Sequence, residues 1–204
     1  MMFTDTYRTI EAASQGSYRE KASRFLSFAI PAATEQSVRE SLEGLRKKYH
    51  DANHYCYAYC LGADRSAFRM NDDGEPSGSA GKPIFGQIQS KELTNILVVV
   101  VRYFGGTKLG IPGLIRAYRT AAREAIENAR VIEKTVNEQY EIRFPYPSMN
   151  EVMRVLKEEG ASVLEMQSDE QCTISFFVRK NAGLRVGERM KKIRRAEIRR
   201  TGGQ

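Results

Sequence analysis

The first clear pattern along the chain is a short alternation followed by a helical repeat. Apolar and polar residues alternate from 23 to 30, and Pro31 ends this predicted strand. Thr34 is placed to cap a helix that runs to about residue 50. The apolar residues of that helix recur at helical spacing and are Val38, Leu42, Leu45 and Tyr49.

Two more strands and a second helix are predicted between residues 54 and 130. The segment 95–103 is too apolar to be half exposed, which predicts a central strand buried on both faces. Pro112 favours the first turn of a helix that continues to about residue 130. The strand 54–61 places Tyr55, Tyr57 and Tyr59 on one face and His54, Cys56, Ala58 and Cys60 on the other. The second helix carries a small-residue stripe for packing on a sheet, namely Leu114, Ala117, Ala121, Ala125 and Ala129.

After residue 134 the pattern predicts a second, smaller domain. Strands at 138–144, 161–166, 172–178 and 196–200 alternate with helices at 147–159 and from about 184. This β-α-β-β-α-β order is typical of a ferredoxin-like domain. We therefore predict an α+β fold with domains at 1–134 and 135–204. The inward faces of the two helices are predicted to be Met149, Val152, Met153 and Leu156 in the first, and Val186, Met190 and Ile193 in the second.

Composition and cysteine content indicate a cytoplasmic protein. Of the 204 residues, 41% are hydrophobic, which is enough to bury a core. The strongest apolar run, 96–101, is far too short to cross a bilayer. Cys56, Cys60 and Cys172 show neither a C-x-x-C spacing nor a secretory context, so reduced thiols are expected.

Positive charge is concentrated at the carboxy-terminal end. Residues 179–204 contain ten Lys/Arg and two Asp/Glu, a net +8, whereas the rest of the chain is at −1. Such a cluster would attract nucleic acid, or it is a solvated face that keeps the protein soluble. The candidate phosphate contacts are Arg185, Arg189, Lys192 and Arg195.

Two glycine-rich segments, 72–84 and 98–118, mix glycine with acids, bases and hydroxyls in a way that packing loops rarely need. A phosphate-binding P-loop is excluded, because Pro76 and Pro83 stand where that motif needs glycine and Ser or Thr. Two interpretations stay open: the loops bind an anion, or Asp72, Asp73 and Glu75 pair with the bases of the second segment. The anion-binding candidates are Ser77, Gly78, Ser79, Gly81, Lys82, Arg102, Gly105, Gly106, Thr107, Lys108 and Arg116.

His54 and Cys56 share a face of their predicted strand, as a catalytic dyad would require. No acid that would orient His54 is evident from the sequence, so half-buried structural thiols are the favoured interpretation. Cys56 and Cys60 stand about 13 Å apart on an extended strand, too far to share a zinc ion. We expect no catalytic residue, no metal and no cofactor.

The chain resembles the YigZ / IMPACT family over nearly its whole length. Four ordered motifs carry the resemblance: CYAY at 56–59, DDGEPSGSAGKPI at 72–84, TNILVVVVRYFGG at 94–106 and KLGIPGLIRAY at 108–118. The bacterial two-domain form of this family implies an amino-terminal α/β sandwich similar to domain IV of elongation factor G, followed by a ferredoxin-like domain.

That resemblance implies a role in translation. Eukaryotic relatives regulate translation under amino-acid starvation, a stress response. We expect a non-catalytic protein that binds RNA or the ribosome, with no membrane attachment. A protein partner and the oligomeric state stay open. The alternative is an enzyme that acts on a small phosphorylated or peptidic substrate in a cleft between the two glycine-rich segments.

Overall fold

Residues 5–168 and 171–203 are described by the structure, a computed structural model of mixed α/β type. They form two compact units, one of residues 7–134 and one of residues 135–203 together with residues 5 and 6. The short amino-terminal piece groups with the second unit, where the backbone N–H of Val136 donates to the Asp5 carbonyl at 2.6 Å. The division into domains at 1–134 and 135–204 stays a prediction.

The first unit is built on a five-stranded sheet with helices on both faces. Its elements are β1 (Thr6–Ile10), β2 (Ser14–Glu20), β3 (Ser23–Pro31), α1 (Glu35–Lys48), β4 (His54–Leu61), β5 (Ala67–Asn71), α2 (Gly81–Ser90), β6 (Ile96–Tyr103), α3 (Gly110–Glu127) and β7 (Val131–Thr135). The sheet order is β2-β3-β6-β4-β5, with all four neighbouring pairs antiparallel. β1 pairs with β7 separately.

The alternation in β4 divides the core as the sequence predicts. Cys56, Ala58 and Cys60 face α2 and α3, whereas the tyrosines at 55, 57 and 59 face the layer that contains α1. β6 lies at the centre of the sheet and is buried on both faces, because β3 and β4 flank it and helices cover both sides. Thr34 caps α1 in a capping box with Ser37. β1, β2, β5, β7 and α2 were not predicted from the hydrophobic pattern.

The second unit is a four-stranded antiparallel sheet with two helices. Its elements are β8 (Asn137–Phe144), a 3₁₀ turn (Tyr146–Ser148), α4 (Met149–Glu158), β9 (Ser162–Ser168), β10 (Cys172–Arg179), α5 (Lys180–Lys191) and β11 (Glu197–Gly203). The strand order is β11-β8-β10-β9. This is the predicted order of elements; residues 169–170, between β9 and β10, lie outside the described residues.

Details of the second unit differ from the prediction. Met153 was assigned to the inward face of α4 but is 40% exposed, and Val155 is buried instead. α5 begins at Lys180 rather than near residue 184, because the chain passes from β10 directly into the helix. The predicted inward residues of α5, Val186, Met190 and Ile193, are all buried.

Candidate functional site

The Asp72 carboxylate occupies the centre of the loop that leads into α2. It accepts hydrogen bonds from the backbone N–H groups of Gly78 at 2.9 Å, Ala80 at 3.0 Å and Gly81 at 2.8 Å. These are the N–H groups that the sequence offered to an external anion, and here an internal carboxylate satisfies them at a helix N-terminus. The predicted anion site in this loop is therefore already filled by the chain itself.

The remaining anion candidates of this loop are divided between core and surface. Ser79 is fully buried, and its hydroxyl donates to the Pro76 carbonyl at 2.6 Å, so it serves the loop rather than a ligand. Ser77 and Lys82 are exposed.

Asp73 ties the same loop to β4 and α1. Its carboxylate accepts from the backbone N–H of Tyr55 at 2.7 Å and from the Arg46 guanidinium at 2.9 Å. Its carbonyl lies 2.9 Å from Nδ1 of His54. Because a carbonyl oxygen can only accept, Nδ1 carries the proton and the Nε2 atom of His54 faces the other way.

Glu75 joins the two glycine-rich segments in one buried cluster. Its side chain is only 4% exposed, and its Oε1 accepts from Arg102 Nη1 at 2.5 Å and from the Tyr118 hydroxyl at 2.7 Å. Nε2 of His54 lies 3.9 Å from the same oxygen. The prediction that an acid of the first segment meets a base of the second is confirmed for Glu75 and Arg102.

The other two predicted bases do not reach these acids. Arg116 binds Glu20 at 2.6 Å, and Lys108 is exposed on the loop before α3. Ion pairing is thus what the geometry supports for Asp73 and Glu75, whereas the Asp72 carboxylate is satisfied by backbone N–H groups.

The Cys56 thiol is a structural group in this cluster. It donates to the Asp72 carbonyl at 2.9 Å and lies 3.3 Å from the Tyr118 hydroxyl. Burial raises the pKa of Cys56 and that of Tyr118 well above their ordinary values. Cys56 and His54 form no hydrogen bond with each other, so the dyad is not assembled. Within the described residues, no group of three or more His, Cys, Asp or Glu side chains is arranged to hold a metal ion.

A basic and aromatic surface adjoins this cluster at the turn between β2 and β3. Ser23 Oγ accepts hydrogen bonds from the backbone N–H of Gly105 at 3.2 Å and from Arg102 at 3.5 Å. Gly105 approaches the turn so closely that a Cβ there would lie 2.1 Å from the carbonyl carbon of Ala22. The shallow groove beside this contact has a volume of about 410 Å³ and is lined by Arg19, Glu20, Lys21, Ala22, Arg24 and Tyr103.

We call this surface the turn surface and define it by the groove residues and Phe104. Phe104 is 45% exposed, and the Arg24 guanidinium lies 4.6 Å above the Tyr103 ring. Lys21 and Ala22 have φ angles of +44° and +63°, a left-handed conformation that favours glycine. The turn therefore holds a strained backbone that presents a lysine at its tip.

Sequence reasoning missed the basic residues of the groove. Arg19, Lys21 and Arg24 were not singled out, because β2 was not recognised and these bases then seemed scattered. The signal that would have found them is the run SYREKASRF at 17–25, in which bases surround a possible two-residue turn.

The carboxy-terminal candidates are divided between ion pairs and the surface. Arg185 binds Glu159 at 2.6 Å, and Arg189 binds Glu159 at 2.7 Å and also Glu158. Both arginines hold the pKa of Glu159 below its ordinary value. Lys192 and Arg195 are exposed.

The net charges of the two predicted domains are similar, although the carboxy-terminal end of the chain is strongly basic. Residues 135–204 contain 13 Lys/Arg and 10 Asp/Glu, a net +3, whereas residues 1–134 contain 19 and 15, a net +4. The basic end of the chain lies in a domain that also contains many acids. Positive charge is therefore available in both domains.

Comparison with known proteins places this site in a recognised domain. The family model described as the Impact N-terminal domain matches residues 21–126, which include the loop acids, Arg102, Phe104 and Tyr118. The chain belongs to the IMPACT family. The second unit lies outside the matched range, and within the described residues no helix has the length and apolar character needed to span a membrane.

Several relatives extend the similarity beyond that domain. IMPACT family member YvyE of Bacillus subtilis is 31% identical over 85% of this chain and 80% of its own length. IMPACT family member YigZ of Escherichia coli is 31% identical over 78% of each chain. A family member of Thermus thermophilus is 39% identical over 66% of this chain and 72% of its own length. A crystal structure titled as that of a hypothetical protein shares the fold, with a TM-score of 0.72, 23% identity and 98% coverage of both chains.

Proposed function

We propose that this IMPACT family member is a cytoplasmic, non-catalytic RNA-binding protein that associates with the ribosome and regulates translation, and that it binds single-stranded RNA through the turn surface. The observation that carries this proposal is the exposed Phe104 ring beside a groove lined by Arg19, Lys21 and Arg24. Bases stack on exposed aromatic rings while basic side chains follow the phosphates.

The charge balance of the groove supports a polyanion as ligand. Glu20 is the acid among the lining residues, and its carboxylate is bound by Arg116 at 2.6 Å. Among the lining residues the three bases therefore face no free acid, and the adjacent Asp51 accepts from the Tyr103 hydroxyl at 2.9 Å. Contacts with phosphate release counterions and add affinity that does not depend on base sequence.

The buried cluster gives this surface a rigid support. Arg102 is held by Glu75 at the end of β6, and its guanidinium lies 5.5 Å from the Phe104 ring. Gly105 in turn packs against the strained turn that carries Lys21. Strained backbone is retained where a site needs a fixed geometry, which favours a binding role for this turn.

The second unit extends the proposal. We propose that it is a ferredoxin-like domain, which its β-α-β-β-α-β order supports, and that the two domains correspond to the last two domains of elongation factor G, as the family resemblance implies. We assign Lys192 and Arg195 an additional phosphate contact. Arg185 and Arg189 contribute less, because each is already paired with glutamate.

One observation favours the alternative, an enzyme with His54 as general base. The Asp73 carbonyl orients the Nδ1–H of His54, and the His54 side chain is 24% exposed beside Glu75. Glu75 is already paired with Arg102, however, and is poorly placed to share charge with a substrate. Turnover of generic phosphatase, esterase or peptidase substrates that His54→Gln abolishes in a folded protein would establish this alternative.

RNA binding is tested by fluorescence anisotropy with a short labelled single-stranded RNA at several salt concentrations. Phe104→Ala should weaken binding by roughly 5- to 150-fold, the effect of losing about 1–3 kcal/mol of stacking, with an unchanged salt slope. Lys21→Gln and Arg24→Gln should each reduce the slope of log K against log salt by about 0.7.

Matched controls come from the same unit. Phe68→Ala removes another exposed aromatic ring, and Arg119→Gln removes another exposed base. Neither should alter RNA binding. If the Phe104 and Phe68 variants bind RNA equally well, or if the salt slope is the same for Arg24→Gln as for Arg119→Gln, the turn surface is not the RNA site.

A further inference from the structure

β5 is an open edge of the five-stranded sheet. Among the strands of the described residues it pairs only with β4, and residues 67–70 are all exposed. In the described part of the chain, no backbone–backbone hydrogen bond outside the β4–β5 ladder involves residues 67–71. The opposite edge differs, because Asn128 donates to the Gln15 carbonyl on β2 and Ser14 donates to α3. An edge with unpaired N–H and C=O groups is a template for another strand.

An apolar groove lies along one face of this edge. Phe68 pairs with Cys60 in the sheet, and Met70 pairs with Ala58, so both face the α2 side. Phe68 is 54% exposed and stacks on Phe85 at 5.1 Å, and Met70 is 40% exposed. The groove has a volume of about 290 Å³ and is lined by Cys60, Arg65, Phe68, Phe85, Ile88, Gln89, Glu92 and Leu93.

The other face of β5 presents a single base. Arg69 pairs with Tyr59, which faces the α1 side of the sheet. Arg69 is exposed. A second copy of this chain that paired β5 with β5 in full antiparallel register would place one Arg69 opposite the other, which is unfavourable. A strand with an acid at that position would be attracted instead.

We propose that β5 is a docking edge for an extended segment of a partner protein with the pattern apolar–acidic–apolar. The segment adds to the sheet by main-chain hydrogen bonds, and its acidic residue lies beside Arg69. Its flanking apolar residues cover Phe68, which lines the groove, and Met70, which lies on the same face of β5. Strand addition of this kind takes affinity from the backbone and specificity from alternate side chains. This surface is separate in sequence from the residues of the turn surface.

The test uses the full chain and a short fluorescein-labelled peptide with a central valine–glutamate–valine, compared with the same peptide carrying lysine in place of glutamate. The glutamate peptide should bind the unaltered protein about fivefold more tightly, the size of a favourable cross-strand charge pair against an unfavourable one. Arg69→Glu should reverse the order of the two peptides. Phe68→Ser should weaken both, since it removes apolar surface at the groove.

Arg119→Glu, at an exposed position of α3, is the matched control and should leave the peptide preference unchanged. Hydrogen exchange should slow at residues 67–71 when the glutamate peptide binds. Protection elsewhere, an unchanged preference in Arg69→Glu, or failure of both peptides to bind would overturn the proposal. So would a dimer of the unaltered chain that the peptide dissociates, because it would assign this edge to a second copy.

Discussion

The ion pair between Glu75 and Arg102 connects the two glycine-rich segments, and Arg102→Met tests that connection. The two side chains are 4% and 6% exposed, and their closest atoms are 2.5 Å apart. Methionine keeps much of the volume of arginine but removes the charge and the donors. Glu75 would then keep the Tyr118 hydroxyl as its direct hydrogen-bond donor.

The expected loss of stability in Arg102→Met follows from the Glu75 carboxylate that stays buried. Removal of one partner of a buried ion pair leaves an uncompensated charge and typically costs about 3–5 kcal/mol. The pair itself contributes less than that, because Arg102 is imperfectly satisfied: its Nε is buried without a hydrogen-bond partner. The double variant Arg102→Met with Glu75→Gln should therefore be more stable than the sum of the two single changes predicts.

Urea denaturation of the unaltered protein, the two single variants and the double variant measures the energetic coupling between Arg102 and Glu75. Arg116→Met is the matched control, since Arg116 binds Glu20 at a similar distance of 2.6 Å but is 62% exposed, so its unfolding midpoint should change little. Equal destabilisation by the two arginine substitutions, or strict additivity in the double variant, would refute the reasoning that burial makes Glu75 depend on Arg102.

Two further predictions concern packing and pH. Gly105→Ala should destabilise the protein by about 1–3 kcal/mol in urea denaturation, because the added Cβ would meet the Ala22 backbone. The control Gly86→Ala places its Cβ in open space on α2 and should stabilise the protein by up to about 1 kcal/mol. Equal effects of the two substitutions would contradict the close approach of Gly105 to the turn. Burial and the hydrogen bond to Glu138 raise the pKa of Tyr140 to about 12, so an unfolded chain loses this proton first and stability should fall between pH 10 and 12. Tyr140→Phe should flatten that fall in unfolding experiments across this pH range, and an unchanged slope would show that Tyr140 does not cause it.

Local patterns were sufficient for the elements that are strongly periodic. The strand His54–Leu61 was predicted with its observed bounds and faces, because period-two alternation between two hydrophobic layers leaves one register. β5 was not predicted: its five residues are largely exposed and form a strand only because β4 pairs with them. Met153 was misplaced because helical spacing alone does not decide which edge of an apolar stripe meets the sheet.

The sequence by itself determined the main helices and strands, the family and the two segments from which the site is built. Those properties depend on residue type and spacing along the chain. Only the tertiary structure decided which acid meets which base: Asp72 accepts from its own loop, Asp73 binds Arg46, and Glu75 binds Arg102. It also brought Gly105 against the turn at Lys21 and left the edge of β5 open. Such contacts join residues distant in sequence, and their geometry is fixed by the packing of the whole sheet rather than by any local pattern.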